Sequence, residues 1–241
     1  KFSEKIIYLP LETQPNNLKK INEKDSNYLK NTKTLDNALL RENYQRNFLQ
    51  SGLKEFDDND LITISDLDEI PNFENFQYKN KITFFEQKMF YYKFNLIHPN
   101  FIWYGSKICK KKYLKNPQWL RNIKSKKYSF LRIDTFFSKS RYIDKHYISD
   151  GGWHFSNLKS PKDIELKLRS YLHHRDYEVE ELGMKKITRL MRENKTIYDM
   201  FGDKTSKKFS DESRKKLAKF DLNNLPLYVQ NNLDKYKDWI D

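Results

Sequence analysis

The 241-residue chain is long enough to bury a full hydrophobic core, and its 17 Phe, 16 Tyr and 4 Trp argue for a folded globule and against disorder. With 6 Gly, 7 Pro and one cysteine, Cys109, it is not a linker, a disulfide scaffold or a zinc site of Cys/His spacing. Its 46 Lys and Arg against 33 Asp and Glu leave a net charge of +13, which suits a nucleic acid, an anionic surface or a phosphorylated small molecule.

The basic residues form short runs at 110–112, 124–127 and 214–216, and no nucleic-acid recognition motif of the usual kinds accompanies them. A basic nucleic-acid module is therefore a minor alternative, and nucleic acid is not an expected partner. Charge interrupts every apolar stretch before it reaches membrane-spanning length, and residues 1–20 lack the apolar region of a signal peptide. The expectation is a cytoplasmic chain of microbial or viral composition.

In chain order, "KIIYLPL" (5–11) predicts a strand, and residues 13–34 a loop or ragged helix. From Thr34, a plausible N-cap, apolar residues at helical spacing predict a helix that stops at Gly52. "DDND" (57–60) is a turn, and "LITIS" (61–65), apolar on both faces, predicts a central strand. A short helix is expected at 72–79, a long strand or hairpin at 81–97, and further strands at 101–108, in "YSFLRI" (128–133) and in "HYISDGGWHFS" (146–156). Ser160 and Pro161 open a helix, and helices continue through "EELGMKKITRLMREN" (180–194) and the tail "LPLYVQNNLDKYKDWI". The expected fold is α/β: one domain, 1–241, with a mostly parallel central sheet covered by helices on both faces in 1–158 and a helical part in 159–241.

The stretch "LITISDLDEIPN" sets Asp66, Asp68 and Glu69 at the end of that strand. If the chain stays extended, Asp66 and Asp68 point to the same side, outside the carboxyl end of a strand where open α/β sheets bind ligands. Two hard oxygen donors there suit Mg²⁺ or Mn²⁺ held jointly with a ligand's phosphates. An acidic turn capping the next helix explains the spacing equally well. An EF-hand fails because Pro71 stands where its loop needs glycine. A metal-dependent phosphohydrolase of the haloacid dehalogenase type is a rival reading, weakened by Ile70 where Thr or Val is usual.

Together "DDNDLITISDLDEIPN", "ENYQRNFLQSGL", "GGWHFSNL" (151–158), "KLRSYLHH" (167–174) and "LPLYVQNNLDKYKDWI" resemble glycosyltransferase family 17, the β-1,4-mannosyl-glycoprotein 4-β-N-acetylglucosaminyltransferases. The resemblance implies a GT-A fold, a UDP-sugar donor, UDP-GlcNAc in particular, a glycan acceptor, Mn²⁺ or Mg²⁺, and inversion at the anomeric carbon. Family members carry a nucleotide-binding βα segment ahead of the strand that opens this chain, so that segment is expected to be truncated here. Asp66 and Asp68 become metal ligands under this reading. His173 in "KLRSYLHH" matches the family's histidine after the helix and competes with His154 for an additional metal-ligand role, while His154 could instead position phosphate or acceptor.

The acceptor hydroxyl needs a base. Asp150, ahead of Gly151 and Gly152, is the first choice because the glycines allow close backbone approach to a ligand, and Glu69 is the second. Trp153 could stack on a sugar or belong to the core. Lys107, Lys110 and Arg132 are candidate phosphate contacts.

Overall fold

The computed structural model describes residues 2–74, 76–135, 137–170, 181–198 and 214–241. The chain divides into two compact units, one of Lys1–Ile64, Tyr78–Phe84 and Lys107–His146, the other of Ser65–Gln77, Phe85–Ser106 and Tyr147–Asp241. Its helices are α1 (Asn27–Phe48), α2 (Pro117–Asn122), α3 (Pro161–Ser170), α4 (Gly183–Arg192) and α5 (Leu227–Gln230). Its strands are β1 (Leu61–Ile64), β2 (Glu69–Pro71), β3 (Ile82–Phe85), β4 (Gln87–Tyr91), β5 (Leu96–Trp103), β6 (Lys107–Lys110), β7 (Lys145–Ile148), β8 (Gly152–Ser156) and β9 (Ala218–Lys219).

The fold is mixed α/β, but its sheets are not the mostly parallel core expected. One sheet runs β1-β6-β3-β7 and the other β2-β8-β4-β5-β9. β6 pairs antiparallel with both β1 and β3, and the β2–β8, β4–β5 and β5–β9 pairs are also antiparallel, whereas β4 and β8 run parallel. Connection length accounts for one of these pairs: a parallel pair needs a crossover of a dozen residues or more, and the link from β4 to β5 is far too short for one, while the other antiparallel pairs join strands that are distant in the chain. β1 lies at the edge of its sheet and alternates exposed and buried residues rather than being covered on both faces.

In the first unit α1 begins before Thr34. The Ser26 hydroxyl accepts from the Leu29 amide at 3.2 Å and caps the helix, while Thr34 sits inside it with its hydroxyl on the Lys30 carbonyl at 2.8 Å. Nothing in 27–33 breaks a helix, so it propagates back past Thr34 to Ser26, whose side chain makes the cap. The acidic turn at 57–60 forms as expected, closed by Asp60 N–H on the Asp57 carbonyl at 3.0 Å. Residues 6–15 run without regular structure instead of forming a strand. Ile62, Ile64, Ile82, Phe84, Ile108, Cys109 and Leu120 are all buried in this unit. Cys109 is fully buried among these side chains as a packing residue, and burial pushes its thiol up to about 12.

In the second unit, Met89, Tyr91 and Leu96 pack with Ile164 and Leu168 of α3 and with Ile187 and Leu190 of α4. The i, i+4 spacing of Ile164 and Leu168 sets one face of α3 into this core, each such side chain contributing about 1.5–3 kcal/mol. The helix starts where the sequence says it should: Ser160 Oγ accepts from the Asp163 amide at 3.2 Å, with Pro161 in the first position. A second cluster gathers Phe90, Phe155, Leu225 and Val229. The expected helix at 72–79 is replaced by irregular chain in which Phe73 and Phe76 pack on Phe85.

Candidate active site

Beyond β1 the chain does not stay extended. Residues 66–69 form a turn closed by Glu69 N–H on the Asp66 carbonyl at 3.0 Å, and in return Glu69 Oε2 accepts from the Asp66 amide at 3.0 Å. Glu69 is only 4 % exposed. Its Oε1 accepts from Trp103 Nε1 at 2.6 Å, and Ser106 Oγ lies 3.5 Å from Oε2 while itself receiving Ser65 Oγ at 2.6 Å. The carboxylate proposed as a second-choice base thus spans both ends of the turn and ties it to β5. What looked like strand spacing is a clamped loop that presents Asp66 and Asp68, both part-exposed, with Leu67 fully exposed between them.

The clamp depends on Gly105. A Cβ there would fall 1.8 Å from Glu69 Oε1 and 2.2 Å from Trp103 Nε1. Gly105→Ala must push apart a buried carboxylate and the half-buried indole hydrogen-bonded to it, and we expect it to destabilise the protein by about 1–3 kcal/mol in urea unfolding.

Asp68 meets β8. Its carbonyl accepts from the Phe155 amide at 2.8 Å, and its Oδ2 lies 3.5 Å from His154 Nε2. The His154 ring is buried, stacks on Trp103 at 4.7 Å between centroids, and has no hydrogen-bond partner for Nδ1 among the described residues. Burial pushes the Asp68 carboxyl up, but the His154 hydrogen bond and charge, with Lys167, outweigh it and hold it below the usual carboxylate range. Asp68 stays anionic near neutral pH.

An open cleft of about 640 Å³ begins at this carboxylate. Leu67, Asp68, Asn157, Lys159, Leu166 and Lys167 are among its lining residues. Lys167 Nζ donates to Asn157 Oδ1 at 3.1 Å, and burial lowers its ammonium pKa against the opposing pull of Asp68. Its lining thus carries two carboxylates, Asp68 and Asp163, and two ammonium groups, Lys159 and Lys167, of which Lys167 is close enough to Asp68 for their charges to interact. Lys159 and Lys167 escaped the sequence reading, as did Trp103 and Ser106. Lys167 opens the "KLRSYLHH" segment, and its position on α3 next to the buried Ile164–Leu168 face was the available signal.

The other expected residues fall as follows. His154 reaches Asp68, whereas Trp153, its neighbour on β8, faces the opposite side, where it packs on the Phe90–Phe155 cluster and donates Nε1 to the Asn224 carbonyl at 2.9 Å. Asp150 is exposed, adopts φ +49° in the turn before β8 and pairs with Lys88. It precedes His154 by four residues of chain, on the order of 13 Å of strand. Gly151 and Gly152 make room for protein backbone rather than a ligand: a Cβ on Gly152, at φ +130°, would lie 2.1 Å from the Ile70 carbonyl, and one on Gly151 would lie 2.7 Å from that of Ile148. His173 lies outside the described residues.

Lys107, Lys110 and Arg132 belong to the first unit. Lys107 is buried and donates to the carbonyls of Ile123, at 2.9 Å, and Arg121, so its ammonium is committed to backbone rather than offered to phosphate. Lys110 Nζ lies 3.4 Å from Asn59 Oδ1. Arg132 pairs with Asp134 at 2.6 Å, and Arg141 joins the same carboxylate at 3.1 Å. The Arg132 hydrogen bond brings Asp134 down to about 2, below its ordinary 3.8. Because the folded value is the lower one, these contacts contribute fully above pH ~4 and are lost as pH falls through about 2. A side-chain carboxyl NMR titration of Asp134 should show that midpoint.

Among the described residues no three His, Cys, Asp or Glu side chains converge to hold a metal ion alone. The donor set fits a hard cation differently: Asp66 and Asp68 are part-exposed oxygen donors, as suits an ion whose remaining ligands are a substrate's phosphates. Among the described residues, no helix is long and apolar enough to cross a membrane.

The family model of Glycosyltransferase family 17 matches residues 18–240. No curated protein and no solved structure matches the chain. The matched span contains the clamped acidic turn, the His154 strand and the Lys167 helix, the same segments that carry the sequence resemblance, and it takes in nearly the whole chain. The chain belongs to glycosyltransferase family 17 and is a glycosyltransferase, an enzyme that moves a sugar from a donor to an acceptor.

Proposed function

We propose that the enzyme transfers GlcNAc, with inversion, from UDP-GlcNAc to a hydroxyl of a glycan acceptor, and that it requires Mn²⁺ or Mg²⁺. The observation that carries this reading is the clamped turn that presents Asp68 at the edge of a cleft lined by Lys159 and Lys167. A divalent ion bound by Asp66 and Asp68 would supply Lewis-acid neutralisation of the diphosphate. Lys159 and Lys167 attract and orient the phosphates, and His154 fixes the Asp68 carboxylate through its Nε2 contact. Asp150, solvent-accessible and steadied by Lys88, is assigned to receive the acceptor proton. The family match crosses both compact units, which supports reading 1–241 as one glycosyltransferase domain.

A thermal-shift series tests the donor and metal together. UDP-GlcNAc with Mn²⁺ should raise Tm, since ligand at a hundredfold over Kd adds about 2.7 kcal/mol of stability, and UDP-GlcNAc with chelator should raise it far less. Equal shifts with and without metal would refute metal dependence, and a larger shift with another UDP-sugar would reassign the donor. In steady-state assays Lys167→Ala should raise KM for the donor about tenfold, the loss of one charge-assisted phosphate contact, with a smaller effect on kcat.

A further inference from the structure

The basic run at 124–127 has no part in the proposed transfer, yet it opens the most exposed apolar segment of the first unit. "YSFLRI" was expected to be a strand. It is instead part of a loop on which Phe130 is 77 %, Leu131 73 %, Ile133 71 % and Phe137 86 % exposed. Isolated exposed apolar residues need no explanation, but four within eight positions on one loop do. The same loop, 124–141, holds six Lys or Arg against a single acid, Asp134, for a net +5, and all six basic side chains are exposed.

The loop has a fixed base. Lys124 N–H donates to the Ser140 carbonyl at 2.8 Å, Trp119 Nε1 to that of Lys139 at 2.9 Å, and Lys145 Nζ to those of Lys124 and Lys126 at 2.8 and 2.5 Å. Lys145 also lies 4.8 Å from the centre of the Tyr128 ring. Asp134, the acid, is taken up between Arg132 and Arg141 and does not interrupt the positive surface. The loop therefore holds apolar side chains out to solvent on an anchored base, with exposed Lys and Arg residues on both sides of them in the chain.

We infer that the 124–141 loop is a membrane-docking surface, with Phe130, Leu131, Ile133 and Phe137 entering the interface of an anionic lipid bilayer while the surrounding Lys and Arg side chains meet its headgroups. Charge complementarity selects this occupant. Exposed apolar residues flanked in the chain by exposed Lys and Arg match a surface that is apolar beneath and anionic on top, and each basic residue near such a surface adds to binding until salt screens it. Docking of this kind needs no membrane-spanning helix. It is independent of the donor and metal assigned above.

Co-sedimentation of the full chain with phosphatidylcholine vesicles, with and without phosphatidylserine, tests the inference. The chain should pellet with the phosphatidylserine vesicles at low salt, pellet weakly with phosphatidylcholine alone, and be released by high salt. Lys126→Glu combined with Lys127→Glu, and separately Phe130→Asp combined with Phe137→Asp, should each weaken vesicle binding about tenfold or more. These side chains are exposed, so both variants should keep the wild-type circular dichroism and donor turnover. Failure of the wild type to pellet with anionic vesicles would overturn the inference, as would equal pelleting of the wild type and both variants. A lipid-free dimer in light scattering that Phe130→Asp with Phe137→Asp converts to monomer would overturn it too, by assigning the surface to a second copy.

Discussion

Asp68→Asn should lower kcat/KM for the UDP-sugar by at least about a hundredfold while leaving the enzyme folded. The substitution keeps the shape of the side chain and removes its charge. That charge is what the cleft offers to a cation, and His154 and Lys167 keep it ionised. The cost to stability should be small, within about 1 kcal/mol, because the Asp68 side chain is 39 % exposed and its contact with His154 Nε2 is a long one, at 3.5 Å. Asp66→Asn should act in the same direction, since its backbone, not its side chain, makes the contacts with Glu69 that close the turn. The informative measurement is turnover at a series of Mn²⁺ concentrations, paired with a thermal melt. A true ligand loses activity that added metal restores in part. Wild-type turnover in both variants would remove these carboxylates from the mechanism.

Much of the site was legible in the sequence because its chemistry is local. The "GGWHFS" strand and the capped α3 are contiguous segments and lie where their residues imply, while the acidic triplet, whose spacing suited an extended strand or a turn equally, forms the turn. The sheet was not legible, because strand direction depends on connection length and on long-range pairing. Period-two patterning says that a strand exists but not which neighbour it meets. For the same reason Gly151 and Gly152 suggested ligand approach from the sequence, while the structure shows them receiving the backbone of neighbouring strands and loops. Trp103 and Ser106 were invisible as site residues: their contact with Glu69 spans more than thirty positions of chain, and only folding brings them together. Lys107 was misread in the opposite sense. A lysine in a strongly basic chain suggests solvent and phosphate, and no local pattern announces that its ammonium will be buried on backbone carbonyls.

Glu69 is where base and scaffold can be separated, because the two roles respond differently to the same pair of substitutions. Its carboxylate is buried and accepts from Trp103 Nε1 at 2.6 Å and from the Asp66 amide at 3.0 Å. Glu69→Ala leaves both donors without this acceptor in a buried space, and we expect a loss of about 2–4 kcal/mol in stability. The turn then loosens, and Asp66 and Asp68 lose their fixed presentation, so donor turnover should fall together with metal response. Glu69→Gln keeps the volume and one acceptor oxygen, which can still receive Trp103 or Asp66 but not both. A loss of about 1–2 kcal/mol follows, with most of the turnover retained. A general base predicts a different pattern: Gln, which cannot take a proton at neutral pH, would abolish turnover about as thoroughly as Ala, by two orders of magnitude or more, even where the melt shows little change. Comparing turnover with urea unfolding for the two variants therefore decides the role of Glu69. The hydrogen bonds favour scaffold: both oxygens already accept from the turn and from β5, so the proton-accepting positions face protein donors rather than the cleft.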